Sequence, residues 1–158
     1  MARALTNRTF EPTPKRIERG RYIATGLSGC VYCHSLHDST APGTPMVAGK
    51  EASGEVLPYA DLPGRIVAPN LTPDPETGAG RWTDDQLARA IREGVGHDGR
   101  ALFPIMPYQH YRHMSDEDLA SVVVYLRLLP YTSGAGTKRP GYGLRRRLSL
   151  HRPLGHGR

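Results

Sequence analysis

Between Ser115 and Pro130 the chain reads SDEDLASVVVYLRLLP, with apolar residues at Leu119, Val122, Val123, Leu126 and Leu129. Steps of three and four place these side chains on one face of an α-helix. Ser115 supplies the N-cap and three acids fill the first turn, where the helix dipole favours negative charge. The pattern predicts the strongest helix of the chain, ended by Pro130. A second helix is predicted from TDDQLARAIREG, where Thr83 and Gln86 form a capping box, Leu87, Ala90 and Ile91 make the apolar stripe, and Gly94 stops the run. A shorter pattern from Lys15 to about Thr25 assigns Ile17, Tyr22 and Ile23 to one face, with Gly20 permitting a close helix crossing. Residues 1–14 read as an irregular arm closed by Pro12 and Pro14. Residues 38–80, rich in Gly, Pro, Thr and Asp, read as a long wrapping loop. No repeat and no convincing strand is visible. The expectation is an all-α fold: one small helical domain over residues 15–130, flanked by the arm at 1–14 and a tail at 131–158.

Composition changes this picture in one respect. A chain of 158 residues is long enough for a single cored domain. Yet it has only two Phe and one Trp, against 18 Gly and 14 Pro. A core built from protein alone would be thin, which points to another occupant of the interior.

Charge is distributed unevenly. The formal total is +6, but Lys138, Arg139, Arg145, Arg146, Arg147, Arg152 and Arg158 all lie beyond Tyr131, where there is no acid. Removing those seven charges leaves residues 1–130 at −1. The basic character therefore belongs to the tail, which suits an acidic protein surface or anionic lipid headgroups. No nucleic-acid recognition motif accompanies it, so nucleic acid is not an expected partner. No stretch approaches the ~20 apolar residues that span a bilayer, and the opening MARALTNRTFEPTPKR has no apolar run of the kind a secretory signal carries.

The candidate chemistry lies in GCVYCHSLH, residues 29–37, which holds both cysteines of the chain. Cys30 and Cys33 are three apart, so on a helical turn their sulfurs face the same way, with His34 directly after. The pattern Cys-x-x-Cys-His is the attachment signature of a c-type haem, one thioether from each cysteine and the histidine beneath the iron. A redox dithiol would want a βαβ setting, and none is visible. Zinc is the stronger rival, with His37 as a fourth ligand, although adjacent Cys33 and His34 fit poorly the usual spacing of zinc ligands. A disulfide between the two would close a small, strained ring. His37 otherwise reads as a solvated loop histidine. If the site is haem, the sixth ligand comes from downstream: Met106, Met114, His97, His110 and His113 are the candidates. Pro104 and Pro107 bracket Met106 and fix a non-helical segment able to present its thioether. Met114 precedes the Ser115 cap, where a staple contact with the helix accounts for it.

The runs RGRYIATGLSGCVYCH, APNLTPDPETGAGRWTDDQLARAIREGV and LFPIMPYQHYRHMSDEDLASVVVYLRLLP together resemble the cytochrome c domains of membrane-associated bacterial dehydrogenases of the alcohol and gluconate type. The resemblance spans roughly residues 16–130. It implies a class I cytochrome c fold around one haem c bound through Cys30 and Cys33, with His34 proximal and Met106 distal, passing single electrons without substrate chemistry. The family's Pro-x-Met-Pro-Tyr context matches Pro104, Met106, Pro107 and Tyr108. Its Asn-x-Thr-Pro-Asp loop maps onto Asn70, Thr72, Pro73 and Asp74, near the haem edge. On that reading Trp82 donates its indole N–H to a haem propionate, and Arg65 or Arg81 neutralises one. The implied partners are a dehydrogenase donor and an oxidase or cytochrome acceptor, with the basic tail available for a peripheral membrane or complex contact. The implied compartment is the periplasm. The chain departs from the family in SLHDSTA after His34, in the loop EASGEVLPYADLPGR, and in carrying one attachment motif where relatives often have three. Two other readings remain at this point: a five-coordinate haem sensor or catalyst in which Met106 only packs, and a zinc-stabilised interaction module.

Overall fold

The computed structural model describes residues 3–59, 61 and 64–134. Most of the tail expected at 131–158 therefore lies outside the described residues.

The chain runs through helix α1 (Pro14–Tyr22), a π-helical turn (Ile23–Leu27), helix α2 (Cys30–Cys33), strands β1 (Glu55–Val56) and β2 (Val67–Ala68), and helices α3 (Asp84–Glu93), α4 (Tyr108–Tyr111) and α5 (Asp116–Arg127). The two strands pair antiparallel, Glu55 opposite Ala68 and Val56 opposite Val67. This small hairpin interrupts the segment read as one long loop; among the described residues the other named elements are all helical, as the all-α expectation has it.

The ends of α3 and the start of α5 carry the expected chemistry, while α1 begins at a cap the sequence reading did not name. Thr83 accepts from Gln86 N while Gln86 reaches back to Thr83 N, and Gly94 closes α3 at φ 66°. Ser115 accepts from Asp118 N at the start of α5. Thr13 caps α1, with Pro14 at its first position. The core joins Ile23, Leu87, Ala88 and Ile91 to Leu119, Val122, Val123, Leu126 and Leu129, so the periodic faces of α3 and α5 meet as expected.

Helix α1 packs across α5, and Gly20 is the contact point. A Cβ placed there would lie 2.0 Å from the Ser121 carbonyl oxygen and 2.8 Å from Tyr125 Cβ. The face assigned to α1 needs correction: Tyr22 is exposed, and Gly20, Ile23 and Ala24 are the buried residues. Two residues from Gly20 is ~200° around a helix of 3.6 residues per turn, which points Tyr22 away from α5. Ile23 and Ala24, three and four residues on, return to the packed face.

The N-terminal arm crosses back over α3. Arg3 makes a two-pronged contact with Asp85 (2.6 and 2.7 Å), and the Thr6 amide donates to the same carboxylate at 2.7 Å. Phe10 packs against the core while its amide donates to Asp84.

Candidate functional site

Gly29, at φ 62°, turns the chain out of the π-helical segment and into α2. The amides of Cys33 and His34 donate to the carbonyls of Gly29 and Cys30, so the whole Cys-x-x-Cys-His run is wound into one helical turn. Both cysteines are unpaired thiols. Burial pushes the Cys30 thiol up to about 11, which keeps it protonated at neutral pH.

His34 is 7 % exposed, and its Nδ1 lies 2.7 Å from the Pro69 carbonyl oxygen. A carbonyl oxygen can only accept, so the ring nitrogen facing it carries the proton: Nδ1 is N–H and Nε2 keeps its lone pair. Burial lowers the His34 pKa, favouring the neutral ring that a metal ligand must be.

The loop after β2 makes that orientation possible. Asn70 is buried, and its side chain ties the loop to itself and to the chain after α5: Oδ1 accepts from Thr72 N and Oγ1, and Nδ2 donates to Thr77 Oγ1 and to the Thr132 carbonyl. Asp74 accepts from Glu76 N and Thr77 Oγ1. These bonds freeze the segment that begins at Pro69. Asn70 directly follows Pro69, whose carbonyl faces His34.

On the downstream side, Leu102 N donates to the Gly94 carbonyl, and Met106 N to the Phe103 carbonyl. Pro107 then opens α4. Met106 and Tyr108 are both half-buried. The Tyr108 ring lies flat on Gly94, where a Cβ would meet three of its ring atoms at 2.6 Å. Met114 packs against the core, as the staple contact requires, and His110 and His113 are exposed. Trp82 is half-buried, packs on the core, and stacks on His97 with centroids 4.4 Å apart. Arg65 and Arg81 are exposed.

Three features have no counterpart in the sequence pattern. His37 is no solvated loop residue: its Nδ1 pairs with Glu55 at 2.7 Å, its side chain is 9 % exposed, and Nε2 is buried without a partner. Tyr111 donates its hydroxyl to the Ser28 carbonyl at 2.5 Å. Asp85, with no exposed side-chain surface, is the anchor of the arm. A carbonyl acceptor leaves no mark in a sequence, and the two ion pairs join residues 18 and 82 apart.

A c-type haem fits this donor set. Two free thiols and a neutral imidazole with an available Nε2 lie on one turn. Large apolar side chains are left exposed beside both segments, Leu27 and Tyr32 at that turn and Phe103 and Ile105 next to Met106. That is surface an apolar macrocycle can cover. Zinc finds no such support: among the described residues no group of three or more His, Cys, Asp or Glu is placed to hold a metal ion.

Comparison with known proteins agrees. The family model described as cytochrome c matches residues 17–130. Among curated relatives, the gluconate 2-dehydrogenase cytochrome c subunit of Pantoea cypripedii is 38% identical over 109 residues, 69% of this chain and 22% of that protein. The cytochrome c subunit of the quinone alcohol dehydrogenase of Gluconobacter oxydans is 36% identical over 110 residues, 69% of this chain and 20% of its own length. The fructose dehydrogenase cytochrome subunit of Gluconobacter japonicus is 33% identical over 121 residues, 73% of this chain and 23% of its own. The chain thus spans less than a quarter of each of these three relatives.

Proposed function

The chain belongs to the cytochrome c family, and from that premise we propose that it carries single electrons through one haem c held by Cys30 and Cys33, with His34 and Met106 as axial ligands. The count of one rests on the chain having only two cysteines. When bound, such a haem supplies a ferric/ferrous couple that takes up and releases one electron.

The protein's own residues do the rest. Cys30 and Cys33 tether the group whatever the oxidation state of the iron. His34, aligned through Nδ1 on the Pro69 carbonyl, offers Nε2 in a fixed direction. Met106 offers a thioether from a segment stiffened by Pro104 and Pro107; thioether ligation favours ferrous iron and raises the potential relative to a second histidine. Fixed ligands and a mostly apolar surround keep reorganisation small, and no group is required to move a proton. Trp82, with Arg65 or Arg81, serves the propionates, and Tyr108 braces the Met106 segment against Gly94. The observation that carries this reading is the His34–Pro69 bond, which selects the ligating tautomer.

The relatives are named as cytochrome subunits of dehydrogenases. By that similarity the electron donor is a dehydrogenase, and the acceptor an oxidase or another cytochrome. Residues 15–130 form the electron-carrying domain, working in the periplasm where thioether attachment belongs. The basic tail gives a contact with a complex or an anionic membrane surface. Among the described residues no helix is long and apolar enough to cross a membrane.

Visible absorption of the purified chain, oxidised, then reduced with dithionite, then exposed to carbon monoxide, tests this. Sharp c-type bands on reduction, a weak far-red band of methionine-ligated ferric iron and no response to carbon monoxide are expected. Met106→Ala should lose the far-red band and admit carbon monoxide. A colourless, zinc-containing protein would sink the haem reading; a wild-type spectrum shifted by carbon monoxide would sink Met106.

A further inference from the structure

Two short segments must be held in register for the proposed ligation to work. One is the attachment turn, where Cys30, Cys33 and His34 fix the position of the iron. The other is the segment that brings Met106. Between Leu102 and Tyr108 the backbone bonds of the second segment are local, Met106 N to Phe103 O and Tyr108 N to Met106 O. Its hold on the rest of the molecule comes from the Tyr108 ring on Gly94 and from the chain on either side. Upstream, Leu102 N reaches the Gly94 carbonyl at the end of α3. Downstream, α4 ends in Tyr111, whose ring packs on the core and whose hydroxyl crosses 83 residues to the Ser28 carbonyl.

Ser28 stands at the break between the π-helical turn and α2. Its amide is bonded to the Ile23 carbonyl, and the next residue is Gly29, the left-handed cap of the attachment turn. The Tyr111 hydroxyl therefore ties the methionine-bearing segment to the backbone just ahead of Cys30. Tyr111 is half-buried, and burial raises its pKa, so the hydroxyl stays a donor across the neutral range.

We propose that Tyr111 is a positioning residue for Met106, holding the methionine segment in register with the attachment turn through its hydrogen bond to Ser28. The inference rests on Met106 ligation. A tether of this kind acts on the strength with which the thioether is presented to the iron, not on the attachment of the haem, which is covalent. Its loss is felt most in the ferric state, where a soft thioether binds less tightly.

The test uses Tyr111→Phe, which removes one oxygen and keeps the packed ring, in the full haem-loaded chain. An external ligand such as imidazole binds ferric iron only after the methionine has left, so its apparent affinity reports the methionine's hold. The expected result is an apparent Kd for imidazole lowered by about tenfold, the equivalent of losing one hydrogen bond of ~1.4 kcal/mol, with a weaker far-red band. Arg16→Ala, which breaks the exposed Arg16–Glu117 pair between α1 and α5, should move neither. Unfolding by denaturant, followed by fluorescence of the single tryptophan, separates positioning from stability: the far-red band should weaken while the fold persists. A folded Tyr111→Phe protein with wild-type imidazole affinity and far-red band overturns the proposal. So does a variant whose band and fold are lost together, since that outcome makes Tyr111 a general stabiliser. A wild-type protein without the far-red band, or Met106→Ala that keeps it, overturns the ligation reading itself and this inference with it.

Discussion

At Gly20 a single hydrogen atom decides whether two helices meet. The Cβ of an alanine would stand 2.0 Å from the Ser121 carbonyl oxygen and 2.8 Å from Tyr125 Cβ, both on α5. Neither obstacle is the far end of a flexible side chain. Alanine is the better helix former by about 1 kcal/mol, so an isolated α1 would gain from the change. Separating the backbones costs more, on the scale of overpacking, about 1–3 kcal/mol or above. Gly20→Ala should therefore destabilise the protein by a net ~1–2 kcal/mol, read as a lower denaturation midpoint; an unchanged or raised midpoint would show that α1 is not held against α5 in solution. This glycine is legible in the sequence because a Gly within an apolar-periodic helix costs propensity, and a close crossing is what repays it. Tyr22 is harder to place. Its aromatic ring suggests an inward position, and only its angle relative to Gly20 shows that it must point out. His37 is illegible for a different reason: its partner Glu55 lies across a loop whose path no local rule predicts.

At the scale of elements the helices are legible where their ends carry their own chemistry. Thr83, Gln86 and Gly94 delimit α3, and Ser115 starts α5, all through bonds reaching three or four residues. Such local bonds make a direct prediction. Ser115→Ala removes the acceptor for Asp118 N and should cost ~1 kcal/mol in urea unfolding, the ordinary value of an N-cap. Because α5 supplies Leu119, Val122, Val123 and Leu126 to the core, that loss should appear in the single global transition; fraying of α5 alone, seen as a separate early phase, would contradict it. Helix α2 is legible by its sulfur spacing, since four residues carry no usable periodicity. Strands β1 and β2 escape a sequence reading because two residues each give no alternation. They matter nonetheless, since the hairpin leads into Pro69 and so into the orientation of His34.

On the whole-molecule scale the least legible feature is the arm, which falls outside the residues the family model matches. Its fastening depends on Asp85, a buried residue in the first turn of α3. In the folded chain this carboxylate has no exposed surface and receives Arg3, Arg8 and both the amide and the hydroxyl of Thr6. Arg3 also pairs with Glu93 at 2.8 Å. The Arg3 guanidinium first, with the Thr6 donors, holds the Asp85 carboxyl well below the usual carboxylate range against the opposing effect of burial. A carboxyl depressed in the folded state stabilises above its unfolded pKa, ~3.9, and that stabilisation disappears as pH falls toward the folded value. Asp85→Asn keeps the shape but removes the charge. It should destabilise the protein by about 2 kcal/mol at pH 7, the scale of hydrogen bonds to a charged group. The gap between wild type and variant should then narrow steadily below about pH 4. Comparing the two curves cancels the acid sensitivity of the haem ligands, which both proteins share. Protease cleavage within residues 3–13 should also become faster in the variant, because the arm loses its main fastening while Phe10 keeps only its core contact and the Asp84 bond. Parallel pH curves with unchanged cleavage would mean that the arm is held by its other contacts, the Arg3–Glu93 pair, the Phe10 amide bond to Asp84 and packing.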